Sequence, residues 1–181
     1  MHPEIANFVS DTFYNGDLKN GGTAAEKAFQ FSSFNKPVCL LSTSNQPNHY
    51  ETWLNPSYQN ELEAKYVKEI VDALVEHCNE HGAKGETVSV AVITPYAEQV
   101  TLIRSKLKDV IGNSGNVLIT QEDVASVDKF QGGERDVVIA SFVRSPKPNV
   151  YAPKLTFVQD LKRMNVAFSR PKKMLILVKH L

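Results

Sequence analysis

Two arginines near the end of the chain have the type and spacing to bind a phosphorylated ligand. Arg163 and Arg170 are the first and last residues of the stretch RMNVAFSR and are seven positions apart. Seven residues make about two helical turns, so we expect both side chains to project from one helical face. Guanidinium groups bind phosphate oxygens through paired hydrogen bonds. An arginine that reaches into the site of a neighbouring domain can also stabilise the charge of a phosphoryl group during its transfer. The alternative, a basic helix end that offsets the helix dipole, accounts better for Lys172 and Lys173.

A second cluster of polar side chains lies in the stretch 126–136, SVDKFQGGERD, between two apolar runs. Gln131 and Glu134 can hydrogen-bond a ribose or order a water molecule, and Gly132 lets a ligand or another backbone come close. A solvated hairpin turn is the alternative. It explains the cationic side chains of the stretch but leaves its Asp-x-Phe-Gln-Gly core unexplained.

The third stretch, TPYAEQ at 94–99, follows an apolar run and opens a helical pattern. We predict that Thr94 caps this helix and that Pro95 occupies its first position. The backbone amides of such a first turn face outward and can bind a phosphate without a cationic side chain. A plain helix cap without a ligand is the alternative here.

The elements that position these stretches follow from hydrophobic periodicity. Short continuous apolar runs predict buried strands, with a further short apolar stretch at 117–119. The predicted strands are 38–42, 88–93, 124–127, 137–142 and 174–178. A period near 3.6 residues predicts helices, with loops at 15–36 and 43–56. The predicted helices are 3–14, 60–80, 95–110 and 157–168.

Strands that alternate with amphipathic helices predict an α/β fold of three layers, α/β/α, around a mainly parallel sheet. In such sheets ligands bind at the carboxyl ends of the strands. We therefore expect the chemistry to lie just after Ile93, Val127 and Phe142, and on the helix before the last strand.

Composition predicts one intracellular, cytoplasmic globular domain. The chain has 181 residues with 42% hydrophobic and 22% charged residues, and its 20 basic side chains equal its 20 acidic ones. A zero net charge argues against a broad basic coat but allows a few placed cations. Cys39 and Cys78 lack metal-ligand spacing and are expected to be reduced, with a secreted disulfide as the alternative. Neither a signal peptide nor an apolar run long enough to span a membrane is visible.

The chain contains no Walker A pattern, G-x-x-x-x-G-K-[ST], and no G-x-G-x-x-G after a strand. Such a domain therefore either binds something other than a nucleotide or shares a nucleotide with a partner domain. An unrelated nuclease or transferase would need a metal or nucleophile cluster. Asp123, Asp128 and Asp136 have no accompanying histidine, so no metal ligands are predicted.

Taken together, the three stretches resemble motifs IV, V and VI of superfamily 1 helicases, in the branch typified by the nonsense-mediated-decay RNA helicase. Further matches come in the same order and extend the resemblance over nearly the whole chain. They are Met-His-Pro at 1–3, Phe-Tyr-x-Gly-x-Leu at 13–18 and Ser-x-x-Asn-x-x-Glu-Ala at 57–64. The resemblance implies the second RecA-like motor domain, residues 1–181, of an ATP-dependent DNA or RNA helicase or translocase.

It also implies the partners. Mg²⁺-ATP would be held mainly by an N-terminal RecA-like domain of the same protein, and the track would be single-stranded or duplex nucleic acid. The Gln-Tyr-Arg that precedes Met-His-Pro in the family is missing, so we expect the chain to be part of a longer protein. A degenerate motor domain kept as a docking module without ATPase activity is the alternative.

Residue roles follow from the same resemblance. Arg170 is similar to the family's arginine finger, and Arg163 to the arginine that supports it. The motif V residues expected near the ribose and phosphates are Gln131, Gly132 and Glu134. The residues expected on the nucleic-acid side are Thr94, Pro95, Tyr96 and Ser126.

Two positions depart from the family pattern. Position 133 is Gly where many relatives have Arg, which removes one charged contact, and Pro171 stands where a small residue is usual. Proline at that position stiffens the exit from the motif VI segment.

Overall fold

The computed structural model describes residues 1–21, 23, 28–82, 86–112, 114–130, 133–148 and 160–181. Within them four helices and eight strands form an α/β fold. The helices are α1 (Pro3–Phe13), α2 (Glu61–His81), α3 (Ala97–Lys106) and α4 (Leu161–Phe168). The strands are β1 (Val38–Ser42), β2 (Thr52–Leu54), β3 (Ser57–Gln59), β4 (Val88–Thr94), β5 (Val117–Leu118), β6 (Val124–Ser126), β7 (Arg135–Ser141) and β8 (Pro171–Lys179).

The main sheet is parallel throughout. Its strand order is β1-β8-β7-β4-β5, and β6 also pairs with β4. β5 pairs with the start of β4 and β6 with its end, so the two short strands share one side of β4. The mainly parallel sheet that the alternating pattern predicted is confirmed.

Side chains alternate between the two faces of this sheet, which builds a core on each side. Val92, Ile139 and Ile176 pack under α2 and α3, whereas Ile93 and Leu175 pack under α1 and α4. Both faces are covered, and that is why the strands read as continuous apolar runs. The predicted three-layer arrangement is confirmed.

Two predictions about local structure were wrong. The region 43–56 is not all loop, because β2 lies within it and pairs with β3 in a small antiparallel hairpin. The helix predicted from Pro95 begins later: Tyr96 is the N-cap of α3 and makes no side-chain cap bond. Thr94 continues β4 instead of capping the helix.

A buried polar network ties α2 and α3 to the sheet. The Asn60 side chain caps α2 by accepting from the Glu63 amide at 3.0 Å, and its Nδ2 donates to the carbonyls of His49 and Val143. Gln99 of α3 pairs with the backbone of Asn60, accepting from its N–H at 2.8 Å and donating to its carbonyl at 3.2 Å. Asn60 and Gln99 are both fully buried, so each of these bonds replaces lost hydration.

We expect Asn60→Ala to destabilise the fold by about 2–4 kcal/mol, since it removes a helix cap and leaves the buried Val143 carbonyl and the partly buried His49 carbonyl without this donor. Denaturant unfolding measures this change. Asp160→Ala removes the less buried cap of α4, which accepts from the amides of Lys162 and Arg163, and is expected to cost about 1 kcal/mol. An equal loss of unfolding free energy in the two variants would show that the buried bonds of Asn60 add no stability beyond that of a helix cap.

Candidate functional site

The carboxyl edge of the sheet brings two predicted nucleic-acid residues together. Thr94 ends β4 and Ser126 ends β6, and the two are register partners. The Val127 amide donates to the Thr94 carbonyl at 3.1 Å and continues this pairing past the end of β6. Pro95 follows Thr94 and lines an apolar pocket together with Phe142. This edge therefore carries the predicted group Thr94, Pro95, Tyr96 and Ser126.

The Thr94 side chain itself does not reach the surface. It is fully buried, and its hydroxyl has no hydrogen-bond partner within the described residues. One amide of the first turn of α3 is also occupied, because Glu98 donates its N–H to the Ser57 hydroxyl at 3.3 Å. The prediction that Thr94 caps a first turn with free, outward-facing amides was therefore wrong for the Thr94 side chain and for the Glu98 amide.

Tyr96 belongs to a group of polar and aromatic side chains above the same edge. Arg144 lies with its guanidinium carbon 4.3 Å from the centre of the Tyr58 ring, and one of its Nη atoms is 3.5 Å from the Tyr96 hydroxyl. Its Nε donates to Glu51 at 2.8 Å in a buried ion pair. Burial raises the pKa of Tyr96, so its hydroxyl stays protonated at neutral pH.

The amino edge of the sheet carries two of the predicted nucleotide residues, Glu134 and Arg170. Glu134 precedes β7 and Arg170 precedes β8, and the Arg135 amide donates to the Arg170 carbonyl at 3.1 Å. This edge is the opposite one from Thr94 and Ser126, at a distance of roughly 20 Å for seven-residue strands. Glu134 and Arg170 therefore do not lie at the carboxyl ends of the strands, where the general rule for parallel sheets places ligands.

The two arginines expected to act together occupy different settings. Arg170 lies beyond the C-cap Ser169, so it does not share a helical face with Arg163. Arg163 lies near the start of α4, 3.0 Å from Asp128 and 3.7 Å from Asp160. Arg170 donates its Nε to the Val166 carbonyl at 3.0 Å. In the described part of the chain it has no acidic partner.

Two of the predicted motif V residues, Gln131 and Gly132, lie outside the described residues. Their neighbour Glu134 is exposed. Its backbone carbonyl accepts from Arg135, which in turn is paired with Asp123 at 2.6 Å. The motif VI residue Asn165 donates to the Tyr14 hydroxyl at 2.7 Å. This bond joins two segments on which the family resemblance was based.

The three aspartates considered as a cluster have separate partners. Asp123 is buried and pairs with Arg135, and Asp128 pairs with Arg163. Asp136 accepts from the amide and hydroxyl of Ser89. Throughout the part of the chain that the structure describes, no three His, Cys, Asp or Glu side chains come together as metal ligands.

Glu63 was not predicted as a site residue, yet its environment is unusual. It is fully buried at the carboxyl edge, where its Oε2 accepts from the Ser141 hydroxyl at 2.7 Å and from the Val143 amide at 2.9 Å. Its Oε1 is buried without a partner among the described residues. Burial raises the pKa of Glu63 to about 7, although the bonds from Val143 and Ser141 favour the ionised form.

A sequence signal for Glu63 does exist. Asn60 and Glu63 have the spacing of a capping box, in which the second side chain reaches back to the amide of the first. Gln99 already occupies that amide, so Glu63 turns to Ser141 and Val143 instead. Glu51 and Arg144 gave no such signal, because their pairing spans 93 positions of the chain.

None of the helices in the described part of the chain combines the length and the apolar composition that a bilayer span requires. The longest helix, α2, has charged residues throughout its 21 positions. Cys39 and Cys78 are free thiols in the structure, as predicted.

A family model described as AAA domain matches residues 1–181. The "Regulator of nonsense transcripts 1 homolog" of Neurospora crassa is 34% identical over 98% of the chain. The "ATP-dependent helicase NAM7" of Saccharomyces cerevisiae is 30% identical over the same share. The chain covers 16% and 18% of these two proteins, less than a fifth of their length.

Among solved structures, the C-terminal domain of a possible DNA helicase from Lactobacillus plantarum aligns with a TM-score of 0.47 and 16% identity. That alignment covers 98% of this chain and 84% of the other. The helicase resemblance stated from the motifs is confirmed by the family model and the curated relatives.

The raised pKa of Glu63 predicts a pH dependence of stability. A carboxyl whose pKa is raised from 4.5 to about 7 on folding contributes stability that is fully present below pH 4.5. That contribution is lost as the pH rises through 7. Relative to Glu63→Gln, the wild-type free energy of unfolding should fall by on the order of 3 kcal/mol between pH 4.5 and 8. Urea unfolding across this range measures it.

The matched control is Glu61→Gln, because Glu61 is an exposed carboxylate in the same helical turn. It removes a carboxyl outside the buried network, so a pH dependence shared by both variants would not come from the burial of Glu63. A Glu63→Gln difference that is constant with pH would show that Glu63 does not titrate in the folded protein as inferred.

Proposed function

The chain belongs to the AAA domain family, and we propose that it is the second RecA-like motor domain of an ATP-dependent superfamily 1 helicase or translocase. In this proposal a partner domain of the same protein holds the phosphates and Mg²⁺. The chain supplies an arginine to the nucleotide and a surface to the nucleic acid. Its lack of a Walker A loop fits this division, because the loop would belong to the partner.

The observation that carries the proposal is the hydrogen bonding of the Arg170 guanidinium. Its Nε is fixed by the Val166 carbonyl, while its remaining donors have no carboxylate partner among the described residues. A half-buried guanidinium held in this way is ready to bind an anion. Arg163 differs because Asp128 and Asp160 already offset its charge. We therefore assign the finger role to Arg170 and a supporting, positioning role to Arg163.

Glu134 completes the nucleotide side of the proposal. The backbone bond between Arg135 and Arg170 keeps Glu134 and Arg170 beside each other at the amino edge. Because the two side chains, both in the described part of the chain, form no ion pair with each other, the Glu134 carboxylate can accept from ribose hydroxyls while the Arg170 guanidinium binds the phosphates. Bound ATP would supply the phosphoryl group for hydrolysis, and Gln131 and Gly132 are proposed to lie beside it, as the family resemblance implies.

The nucleic-acid side of the proposal lies at the carboxyl edge, with Pro95, Tyr96 and Ser126 at the surface or partly exposed. Thr94 is buried, so its proposed role is to hold the ends of β4 and β6 in position and not to contact the strand itself. A translocase must bind every base sequence as it moves along the strand. Polar and aromatic groups can do this, because contacts to the backbone and stacking on bases do not depend on sequence. Separate edges leave ATP and the strand free to bind at the same time.

We expect the 181-residue chain by itself to hydrolyse no ATP above background, since the phosphate-binding loop is absent from it. A phosphate-release assay with and without single-stranded nucleic acid measures this. Robust hydrolysis by the purified chain would refute the proposed division of labour.

In the longer protein, Arg170→Ala should lower ATP hydrolysis by about 10³-fold or more while most nucleic-acid binding remains. Arg170→Lys should restore little, because an ammonium lacks the planar fork of the guanidinium. The matched control is Lys172→Ala, two positions further along the chain, which should keep nearly wild-type hydrolysis. Loss of nucleic-acid binding with normal hydrolysis in Arg170→Ala would contradict the assignment.

A further inference from the structure

The β2–β3 hairpin extends an aromatic row outward from Tyr96. The ring centres of Tyr96 and Tyr58 are 5.4 Å apart in an edge-to-face contact. The ring centres of Tyr58 and Trp53 are 4.6 Å apart. The row therefore begins at Tyr96, on the proposed nucleic-acid edge, and ends at Trp53. We call the Trp53 indole the outer ring.

The outer ring is exposed to a degree that folding does not explain. Trp53 leaves 51% of its surface accessible, and all three residues of β2 are exposed. An indole packed only to complete a core would bury most of its area. Tyr58 packs against Trp53 in a tilted contact, and the exposed part of the indole is available to a ligand.

Buried contacts hold this hairpin rigid. Glu51, next to β2, accepts from Arg144 at 2.8 Å and from the Ser145 amide at 2.6 Å, and its own amide donates to the Ser145 carbonyl at 2.9 Å. On the other strand, Ser57 accepts from the Glu98 amide. A two-stranded hairpin is marginal in isolation, so these bonds are what keep Trp53 in place.

Charge and size decide what the outer ring fits. Arg144 lies under Tyr58 but is paired with Glu51, so the row carries little net charge and is not built for phosphates. The described part of the hairpin exposes two large apolar side chains, Trp53 and Leu54. A stable protein interface needs about 800 Å² from each partner, which two partly exposed side chains do not supply. A flat, uncharged ring of similar size fits better.

We propose that Trp53 is a stacking platform for an unpaired base of the strand that crosses the carboxyl edge. The inference rests on the proposed function and adds to it a contact to bases, beside the contacts to the backbone. Stacking on an indole is tolerant of sequence because every base presents a π face. The row Trp53–Tyr58–Tyr96 then aligns a base beside the sheet edge.

Trp53 is the only tryptophan of the chain, so its fluorescence reports directly on the platform. Titration of the 181-residue chain with a 20-nucleotide oligothymidylate should quench this fluorescence. An abasic oligonucleotide of equal length keeps the phosphates and lacks the bases. We expect it to bind without comparable quenching and with lower affinity.

Affinities of variants are measured by anisotropy of labelled oligonucleotides. Trp53→Ala should weaken oligothymidylate binding about 5- to 150-fold and leave abasic binding and the salt dependence unchanged. Trp53→Phe should keep most of the affinity. Leu54→Ala is the matched control, because it removes the neighbouring exposed side chain, and it should bind like the wild type. Melting temperatures confirm that each variant folds.

The outcomes separate this inference from the proposed function. If the wild-type chain binds oligothymidylate but Trp53→Ala binds equally well, the platform is wrong and the function stands. Equal weakening for both oligonucleotides also overturns it, since stacking affects only the one with bases. If the wild-type chain binds neither oligonucleotide, the proposed nucleic-acid edge fails, and the platform fails with it.

Discussion

The architecture of the carboxyl edge depends on the pairing of one amide side chain with a backbone. Gln99 bonds both the N–H and the carbonyl of Asn60, which are fully buried, much as a neighbouring strand would. Without Gln99 the buried Asn60 N–H would lose its partner, and the Asn60 carbonyl would keep only the bond from the Ala64 amide at 3.0 Å. A buried amide without a partner costs about 1–3 kcal/mol, a large part of the stability of a single domain. The pair fixes the starts of α2 and α3 against each other and so fixes the position of Tyr96.

The same pairing explains why an acidic residue is buried beneath the edge. With the Asn60 amide occupied, Glu63 is directed to Ser141 and to the Val143 amide. Val143 has a positive φ of 72°, a conformation that costs energy for a β-branched residue and persists only where neighbours enforce it. Two neighbours enforce it here. The Glu63 carboxyl group accepts from the Val143 N–H, and the Asn60 side chain donates to the Val143 carbonyl. The turn after β7 therefore depends on interactions from α2.

The sheet also separates the two halves of the proposed site. Arg170 and Glu134 precede their strands, whereas Thr94 and Ser126 end theirs, so a parallel sheet places the two groups at opposite edges. Under the proposed function, the rigid strands between them connect the nucleotide to the nucleic acid. Buried strands packed on both faces resist bending, so a displacement at one edge moves the other.

The sequence by itself determined the layers and most of the helices and strands of this protein. The spacing of apolar residues that predicts them is a local property of each segment and does not depend on the rest of the chain. It also located the three motifs, whose residue types need no partner to be recognised. The tertiary structure decided where those residues point. The burial of Thr94, the pairing of Arg163 with Asp128 and the folding of β2 and β3 all depend on groups distant in the chain. Such contacts form only when the sheet closes, so no local pattern encodes them.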